Sequence, residues 1–304
     1  MDVLTVRSFA SVALERDPDL RRAAFASGLF EGLRTGLKKV TIEEENGPQE
    51  YYIAEGDTLL DEDQLAIYAF NRERVEAARL AMGTADAAGL GIAGLAETNM
   101  QALVGVIQGG RHVRWKPGVS LSYRVVQHTF TSLERYTNVV DAMQQATQAW
   151  QNTCGVKFEH RSDLDTAGGI GPAEALFAVR EIDAFGHFIA AAFFPNDPAN
   201  RRRILIDPSF FAPTLTFNRT GVLRHELGHV LGFRHEHIRS NAPPACPDEP
   251  LFDTANLTQY DPQSVMHYFC GGVGSPELSI TPLDRTGSRS IYGPPLHLVE
   301  DIEP

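Results

Sequence analysis

The segment 225–235, HELGHVLGFRH, constrains the fold of this chain more than any other part of the sequence. His225 and His229 are four residues apart, so on a helix their imidazoles project from one face and can bind one metal ion. Gly232 can adopt the positive φ that ends a helix, which lets His235 return to the same ion as a third ligand. The segment therefore predicts a helix, a turn and a three-histidine Zn²⁺ site.

Glu226 directly follows the first of these histidines. Its carboxylate is expected beside the metal rather than on it, where it can take a proton from a zinc-bound water as a general base. A zinc ion that only stabilises a fold more often has four protein ligands and does not require such a glutamate. We therefore predict one catalytic zinc ion and a metal-dependent peptidase; a histidine-rich surface helix and a structural zinc site are the alternatives.

Charge and hydropathy exclude other classes of function. The 304 residues carry 39 acidic and 27 basic side chains, a net charge of −12, so attraction to nucleic acid or to anionic lipid is not expected. No stretch approaches the ~20 apolar residues that cross a bilayer. The basic run Arg201-Arg202-Arg203 is predicted to be a solvated loop. We expect a monomer that acts on proteins or peptides.

The three cysteines are too few for a disulfide scaffold, and an odd number leaves at least one unpaired within the chain. Cys246 and Cys270 can pair in an oxidising compartment, and three reduced thiols are the alternative. The first 20 residues contain no recognisable secretory leader, because charged residues interrupt their apolar patch. The sequence therefore leaves the compartment open.

Periodicity divides the chain into four regions. Residues 1–82 are an N-terminal, prosegment-like region, with helices expected at 6–39 and 61–82 and a short strand at 50–54. Residues 83–110 are rich in Gly and Ala and are predicted to be a linker in which an activation cleavage can occur. A catalytic domain at 111–294 and a tail at 295–304 follow. Within the catalytic domain we expect strands at 120–125, 175–179, 188–194 and 204–206, and a helix at 133–152.

Residues 264–268, SVMHY, lie downstream of the zinc motif and offer an independent check on it. Met266 supplies a polarizable apolar floor for the imidazoles, and Tyr268 supplies a phenol that can reach the metal or the reacting carbonyl. A methionine alone is most often an ordinary core residue. Its pairing with the longer zinc motif favours a role at the site.

The pattern HExxHxxGFxHE followed by SxMHY resembles the astacin family of metzincins, and the resemblance covers roughly residues 114–293. It implies an α+β metzincin (zincin) fold: a twisted, mostly parallel sheet with an antiparallel edge strand, a backing helix, an active-site helix, a smaller C-terminal subdomain and a helical N-terminal prosegment. The strand 190–195, AAAFFP, looks more like matrixins. However, this chain has Ala192 at the position where matrixins have a histidine that binds a structural zinc ion, so a second zinc is not expected. His187 is interpreted as a surface or strand residue rather than a ligand.

The resemblance also assigns three residues outside the zinc motif proper. Tyr268 would be a fifth zinc ligand at rest and would stabilise the oxyanion during turnover. Glu236 would receive the new N-terminus after activation. Asp57, in the sequence Glu55-Gly56-Asp57, would occupy the water position on zinc and keep the enzyme latent. The alternative for Gly56-Asp57 is a simple turn before the next helix.

The resulting hypothesis is a zinc endopeptidase made as a latent zymogen and, by family resemblance, secreted or extracytoplasmic; a cytoplasmic location is the alternative. Two rival functions stay open. One is a catalytically silent zinc protein whose N-terminal segment permanently fills the cleft. The other is a zinc hydrolase that acts on a non-peptide amide.

Overall fold

The computed structural model describes residue 19 and residues 36–69, 103–108, 110–239, 242–246 and 254–300. The elements named below are those of the described residues. The strands are β1 (Lys38–Glu44), β2 (Gly47–Ala54), β3 (Thr58–Leu60), β4 (Val104–Gln108), β5 (Arg111–His112), β6 (Ser120–Val125), β7 (Lys157–His160), β8 (Phe177–Glu181), β9 (Ala190–Ala191), β10 (Arg203–Ile206), β11 (Phe233–Arg234) and β12 (Thr254–Asn256). The helices are α1 (Leu133–Gln151), α2 (Arg219–Val230) and α3 (Pro282–Tyr292), and residues 62–69 are also helical.

The main sheet has the strand order β7-β6-β8-β10-β9. Its first four strands are parallel, and β9 runs antiparallel to β10 at the edge. Every residue of β8 and β10 is buried, which is typical of strands covered on both faces. The predicted α+β class with a mostly parallel sheet and an antiparallel edge strand is confirmed, although the edge strand is shorter than the predicted 188–194.

Helix α1 lies behind this sheet and supports the histidine helix. It begins at Ser132, whose side chain accepts a hydrogen bond from the Arg135 backbone N–H and so satisfies one of the free donors of the first turn. Its face with Val139, Met143 and Trp150 is fully buried in the main core. The Trp150 indole donates to the carbonyl of Arg224 in α2 at 2.9 Å, which fixes the two helices against each other.

A second, antiparallel sheet of β1, β2 and β3 covers the outer face of the main sheet. Its apolar residues Val40, Ile42, Tyr51 and Ile53 form one buried cluster with residues of the main sheet and the loop before β9, namely Ala184, Phe188, Ala191 and Leu205. This contact explains why β8 and β10 have no solvent-exposed face.

Two expectations for this part of the chain need correction. The helix predicted for 6–39 is wrong at Lys38 and Lys39, because Lys38 begins β1, where alternating burial fits a strand. The prediction for most of 6–35, and the prediction for 61–82 beyond residue 69, fall outside the described residues. The basic run at 201–203 is not a solvated loop, because Arg203 begins the buried strand β10 and is only 8% exposed.

Strand β4 is the centre of a small sheet next to the histidine helix. It pairs antiparallel with β11, with β12 and with β5. It falls in the range 83–110 predicted to be a linker, of which residues 83–102 and 109 lie outside the described part.

The smaller C-terminal region ends in α3, which starts with a capping box between Thr281 and Asp284. No helix among the described residues is long and apolar enough to span a bilayer.

Candidate active site

Helix α2 presents His225 and His229 toward the same point. The Nδ1 of His225 lies 2.7 Å from the carbonyl oxygen of Val265, and the Nδ1 of His229 lies 2.8 Å from that of Phe233. A carbonyl can only accept, so each Nδ1 carries the proton and each Nε2 keeps a lone pair. Both Nε2 atoms are buried and have no hydrogen-bond partner among the described residues. This is the arrangement that a metal ion completes.

His235 reaches these two histidines because the chain turns sharply at Gly232. Gly232 has φ +90°, and a Cβ there would lie 2.7 Å from the carbonyl oxygen of Val113. Only glycine adopts this conformation without strain. Strand β11 then carries the chain to His235, which is fully buried. The structure thus brings together the three histidines that the motif predicts.

Asp57 of the N-terminal region completes the cluster. Its Oδ2 lies 3.2 Å from His235 Nε2, 3.6 Å from His225 Nε2 and 3.9 Å from His229 Nε2. The four potential ligand atoms all lie within 4.8 Å of one another. Three imidazole nitrogens and one carboxylate are a donor set that suits Zn²⁺. The unpartnered Nε2 atoms and the unpartnered Asp57 Oδ1 show that the protein alone does not satisfy these groups.

Glu226 lies beside this cluster and is 2% exposed. Burial, followed by the charge of Asp57, holds the pKa of Glu226 well above its usual value. Its Oε2 has no hydrogen-bond partner among the described residues. Burial lowers the pKa of His229 to about 4, so this imidazole is neutral near pH 7, as a metal ligand must be.

Tyr268 closes the other side of the site. Its hydroxyl lies 2.6 Å from Asp57 Oδ2 and 2.8 Å from the carbonyl oxygen of Glu55. The phenol is therefore engaged by the N-terminal region in this state. Gly56, at φ +83°, lies so close to Tyr268 that a Cβ at this position would be 2.7 Å from the hydroxyl.

Met266 lies fully buried beneath the histidine helix, against Gly228, in the core cluster that also contains Trp150. A Cβ at Gly228 would come within 2.3 Å of the Met266 sulfur, so a larger residue at this position of α2 would displace the Met266 side chain from the floor of the site. The turn at 264–266 is anchored by Asp284, which accepts hydrogen bonds from the Ser264 hydroxyl and from the Val265 N–H. Sequence reasoning did not identify Gly228, although it stands inside the zinc motif.

The carboxylate of Glu236 faces away from the metal cluster. It accepts hydrogen bonds from the backbone N–H groups of Leu103 at 3.1 Å and of Asp261 at 3.0 Å, and Arg239 forms an ion pair with it. Burial raises the pKa of Glu236 to about 8. The Leu103 contact ties the start of β4 to the residue that follows the third histidine.

Two further residues of the site lie outside the predicted set. Arg234, between Phe233 and His235, forms an ion pair with Glu55. His187 is half-buried and lines a cavity of about 420 Å³ next to Glu226 and Tyr268. The other walls of this cavity are mostly apolar, and they include Phe188, Phe217, Val222 and Leu278. Arg234 belongs to no motif that predicts this ion pair, and His187 was interpreted as a surface or strand residue, because each contact joins parts of the chain that are far apart.

A disulfide joins Cys246 and Cys270, which is one of the two arrangements left open by the sequence. Cys270 also lines the cavity beside Tyr268. Cys154 is a buried free thiol.

Comparisons with known proteins find similarity to peptidases over part of this chain. The Matrixin family model of peptidases matches residues 114–243, a range that includes the whole zinc motif and ends before Met266 and Tyr268. An astacin-like metalloendopeptidase from Coturnix japonica is 44% identical over 16% of this chain and 15% of its own length. The chain thus matches only a small part of that relative.

Two solved structures are also similar. The structure of myroilysin has a TM-score of 0.42 and 16% identity, covering 62% of this chain and 98% of that one. High choriolytic enzyme 1, a hatching enzyme zinc-protease from Oryzias latipes (medaka fish), has a TM-score of 0.38 and 18% identity, covering 60% and 94%.

Proposed function

Because the chain contains a metzincin-type zinc metallopeptidase region, we propose that it is a zinc-dependent endopeptidase made as a latent zymogen. The observation that carries the proposal is the buried cluster of His225, His229, His235 and Asp57, whose ligand atoms lie within 4.8 Å of one another. Glu226 beside this cluster supplies the acid–base group that a purely structural zinc site does not require.

The three histidines would hold the ion in the active enzyme. A Zn²⁺ ion bound there supplies Lewis-acid polarisation of a peptide carbonyl and lowers the pKa of a bound water toward 7. The neutral imidazoles, fixed in their tautomers by the carbonyls of Val265 and Phe233, fit this role.

Glu226 is proposed as the general base that takes the proton from the attacking water and then passes it to the leaving amine. Burial raises the pKa of this carboxyl above its usual value, which favours its holding the proton between the two halves of the cycle. Tyr268 is proposed to donate its hydroxyl hydrogen to the oxyanion that forms at the scissile carbonyl. It can do so only after the Asp57 and Glu55 oxygens have left.

Asp57 is proposed to keep the enzyme latent by filling the position that the water needs. Two observations favour this role over that of a simple turn. The carboxylate is only 6% exposed and is directed into the histidine cluster, and the same segment engages Tyr268. The ion pair of Glu55 with Arg234 holds the segment on the third-histidine side of the site.

Activation would then require a cut that frees residues 36–69 without removing β4. Strand β4 pairs with β11, directly before His235, and Leu103 bonds to Glu236. We therefore propose that the cut lies on the N-terminal side of Leu103, within 83–102, and that the new N-terminus comes to lie near Glu236.

The substrate is proposed to be an extended protein or peptide segment that lies along the edge strand β9, pairing backbone to backbone. The disulfide between Cys246 and Cys270 favours an oxidising, extracytoplasmic compartment. A monomer without nucleic-acid or membrane partners stays our expectation, in line with the charge of −12.

The test is incubation of zinc-loaded protein with casein, before and after a cut in 83–102, followed by N-terminal sequencing of any fragments. We expect new N-termini only after the cut, and their loss with 1,10-phenanthroline or with Glu226→Gln. A cut, zinc-loaded protein that leaves casein intact would favour the silent zinc protein. Hydrolysis of small amides without casein cleavage would favour the non-peptide hydrolase.

A further inference from the structure

Two arginines on the outer face of the main sheet hold a single carboxylate of the N-terminal sheet. Arg180 Nη2 lies 2.8 Å from Glu44 Oε2, and Arg203 Nη2 lies 2.7 Å from Glu44 Oε1. The Tyr51 hydroxyl lies 3.1 Å from Glu44 Oε1, and Arg180 also donates to the carbonyl of Glu43. The pair therefore forms a carboxylate site with one guanidinium on each oxygen.

The scaffold of this site belongs to the catalytic part of the chain. Arg203 lies on β10 opposite Ala178 of β8, and Leu205 lies opposite Arg180, so both arginines point from the same face of two paired parallel strands. The residues that cover them belong to β1, β2 and the turn between them. Removal of residues 36–69 would therefore expose the two guanidinium groups without moving the strands that carry them.

Burial makes the carboxylate necessary. Arg180 is 2% exposed and Arg203 is 8% exposed, and their Nε atoms have no hydrogen-bond partner among the described residues. A buried pair of cations without a counter-charge is strongly unfavourable. Glu44 offsets one of the two positive charges, so the pair without Glu44 attracts an anion.

Two more arginines of the catalytic part are paired with acids of the N-terminal region. Arg201 forms an ion pair with Asp61, and Arg234 forms one with Glu55. Arg201 lines the same surface pocket as Arg203 and Glu44, whereas Arg234 lies on β11 of the small sheet, directly before His235. We call Arg180, Arg201 and Arg203 the arginine face. It is a concentration of positive charge in a chain whose net charge is −12, and apolar residues including Phe188 and Leu205 belong to the same covered surface.

We propose that the arginine face is an exosite for an acidic segment of the protein substrate, with the Arg180–Arg203 pair at its centre. This inference rests on the proposed peptidase function and names its substrate class. In the latent chain Glu44 and Asp61 occupy the positions that acidic residues of the substrate take after activation.

A polypeptide fits this surface better than a nucleic acid does. The latent occupant is itself a pair of β-strands that buries Val40, Ile42, Tyr51 and Ile53 against the face, so recognition combines carboxylates with apolar side chains. A phosphate backbone would supply the charge but not the apolar contacts, and the remainder of the acidic chain would repel it.

Direct binding tests the proposal. A specific protease site is inserted within 83–102 of a Glu226→Gln chain, the chain is cut, and the N-terminal segment is removed in high salt. Anisotropy of fluorescein-labelled poly-L-glutamate then measures binding. We expect the cut protein to bind about tenfold more tightly than the uncut chain, because Glu44 no longer competes.

Variants locate the binding site. Arg203→Gln should weaken binding of poly-glutamate about tenfold, the usual effect of one hydrogen bond between charged groups. Arg201 is half-buried, so Arg201→Gln disturbs the fold less than Arg203→Gln does. Arg201→Gln should weaken binding of poly-glutamate several-fold, and it replaces Arg203→Gln as the test if that variant does not fold. Arg161→Gln removes a surface arginine paired with Asp163 and should change binding by less than about twofold.

Three results would overturn the exosite. They are equal affinity of the cut and uncut chains, unchanged affinity in folded Arg203→Gln, and displacement of poly-glutamate by a lower concentration of an oligodeoxynucleotide of equal charge. If the cut N-terminal segment stays bound to the protein through the salt wash, the proposal predicts that poly-glutamate displaces this segment. A segment that stays bound at a saturating concentration of poly-glutamate would also overturn the exosite.

Because the binding assay uses Glu226→Gln protein, it does not depend on catalysis. Loss of casein cleavage with intact poly-glutamate binding would remove the peptidase proposal alone. Casein cleavage without poly-glutamate binding would remove the exosite alone.

Discussion

At the scale of single residues, the site depends on how each histidine is oriented. The Nδ1 atoms of His225 and His229 bond to the carbonyls of Val265 and Phe233, so the metal-facing nitrogens are fixed by backbone groups. The sequence predicted the histidines from their spacing, since a helix places residues four apart on one face. It could not predict the two carbonyls, because a backbone oxygen has no residue-type signature.

Gly232→Ala tests the turn that delivers the third histidine. We expect a loss of about 1–3 kcal/mol in unfolding free energy, because alanine is strained at φ +90° and its Cβ would meet the Val113 carbonyl. Zinc affinity should also fall, since His235 follows this turn. Gly118→Ala is the matched control: it has φ +81° but open space, so it should cost stability without changing zinc affinity in a competition titration.

The pH dependence of zinc retention follows from His229. Its folded pKa of about 4 lies below the unfolded value near 6.5, so its neutral form is favoured by the fold. Between the two pKa values, the unfolded chain binds a proton at His229 that the folded, metal-free protein does not bind. The folded state is therefore most stable above pH ~6.5, and it loses this stability as the pH drops through the folded pKa. Zinc should therefore stay bound on dialysis well below pH 6.5 and leave near pH 4. Half-loss of zinc at pH ~6.5, measured by atomic absorption, would contradict this.

At the scale of elements, three separate pieces of chain position the site: helix α2, the turn at 264–266 and strand β4. The sequence predicted α2 and the methionine turn because each carries an unusual local motif. It did not predict β4, because a short strand in a Gly- and Ala-rich stretch gives no clear period. It also interpreted Arg203 as a loop residue, since its partner Glu44 is far away along the chain.

Asp57→Asn tests the latency segment. The amide keeps the shape but loses the charge that faces three imidazoles, so the uncut chain should show at least about tenfold more casein cleavage than the wild-type uncut chain. Glu62→Gln, a change at an exposed position of the next helix, should leave the uncut chain inactive. Equal residual activity of the wild type and Asp57→Asn would mean that Gly56-Asp57 is only a turn.

The position of the cut tests β4. A protease site between residues 83 and 102 should yield active enzyme, whereas a site between β4 and β5, at 109–110, should yield protein with weakened zinc binding. The reason is that the second cut separates β4 from the rest of the catalytic part, although β4 pairs with β11 beside His235. Zinc content and casein cleavage, measured in parallel on the two cut proteins, check this, and full activity after the second cut would contradict it.

At the scale of the whole molecule, the N-terminal sheet of β1, β2 and β3 packs on the main sheet of the described residues. One interface carries both the apolar cluster of Val40, Ile42, Tyr51 and Ile53 and the ion pairs of the arginine face. The sequence predicted a latent segment from a three-residue resemblance at 55–57. It did not predict that strands β1 and β2 pack on the main sheet through buried apolar side chains and ion pairs. Long-range pairs between buried charges depend on topology, which local patterns do not determine.

The central claim is that one zinc ion is held by three histidines and is capped by Asp57 in the uncut chain. Anomalous diffraction at the zinc absorption edge, from crystals of the uncut protein, tests it most directly. We expect one peak bounded by His225, His229, His235 and Asp57. A peak elsewhere, or a peak at the three histidines with Asp57 withdrawn from it, would contradict the claim.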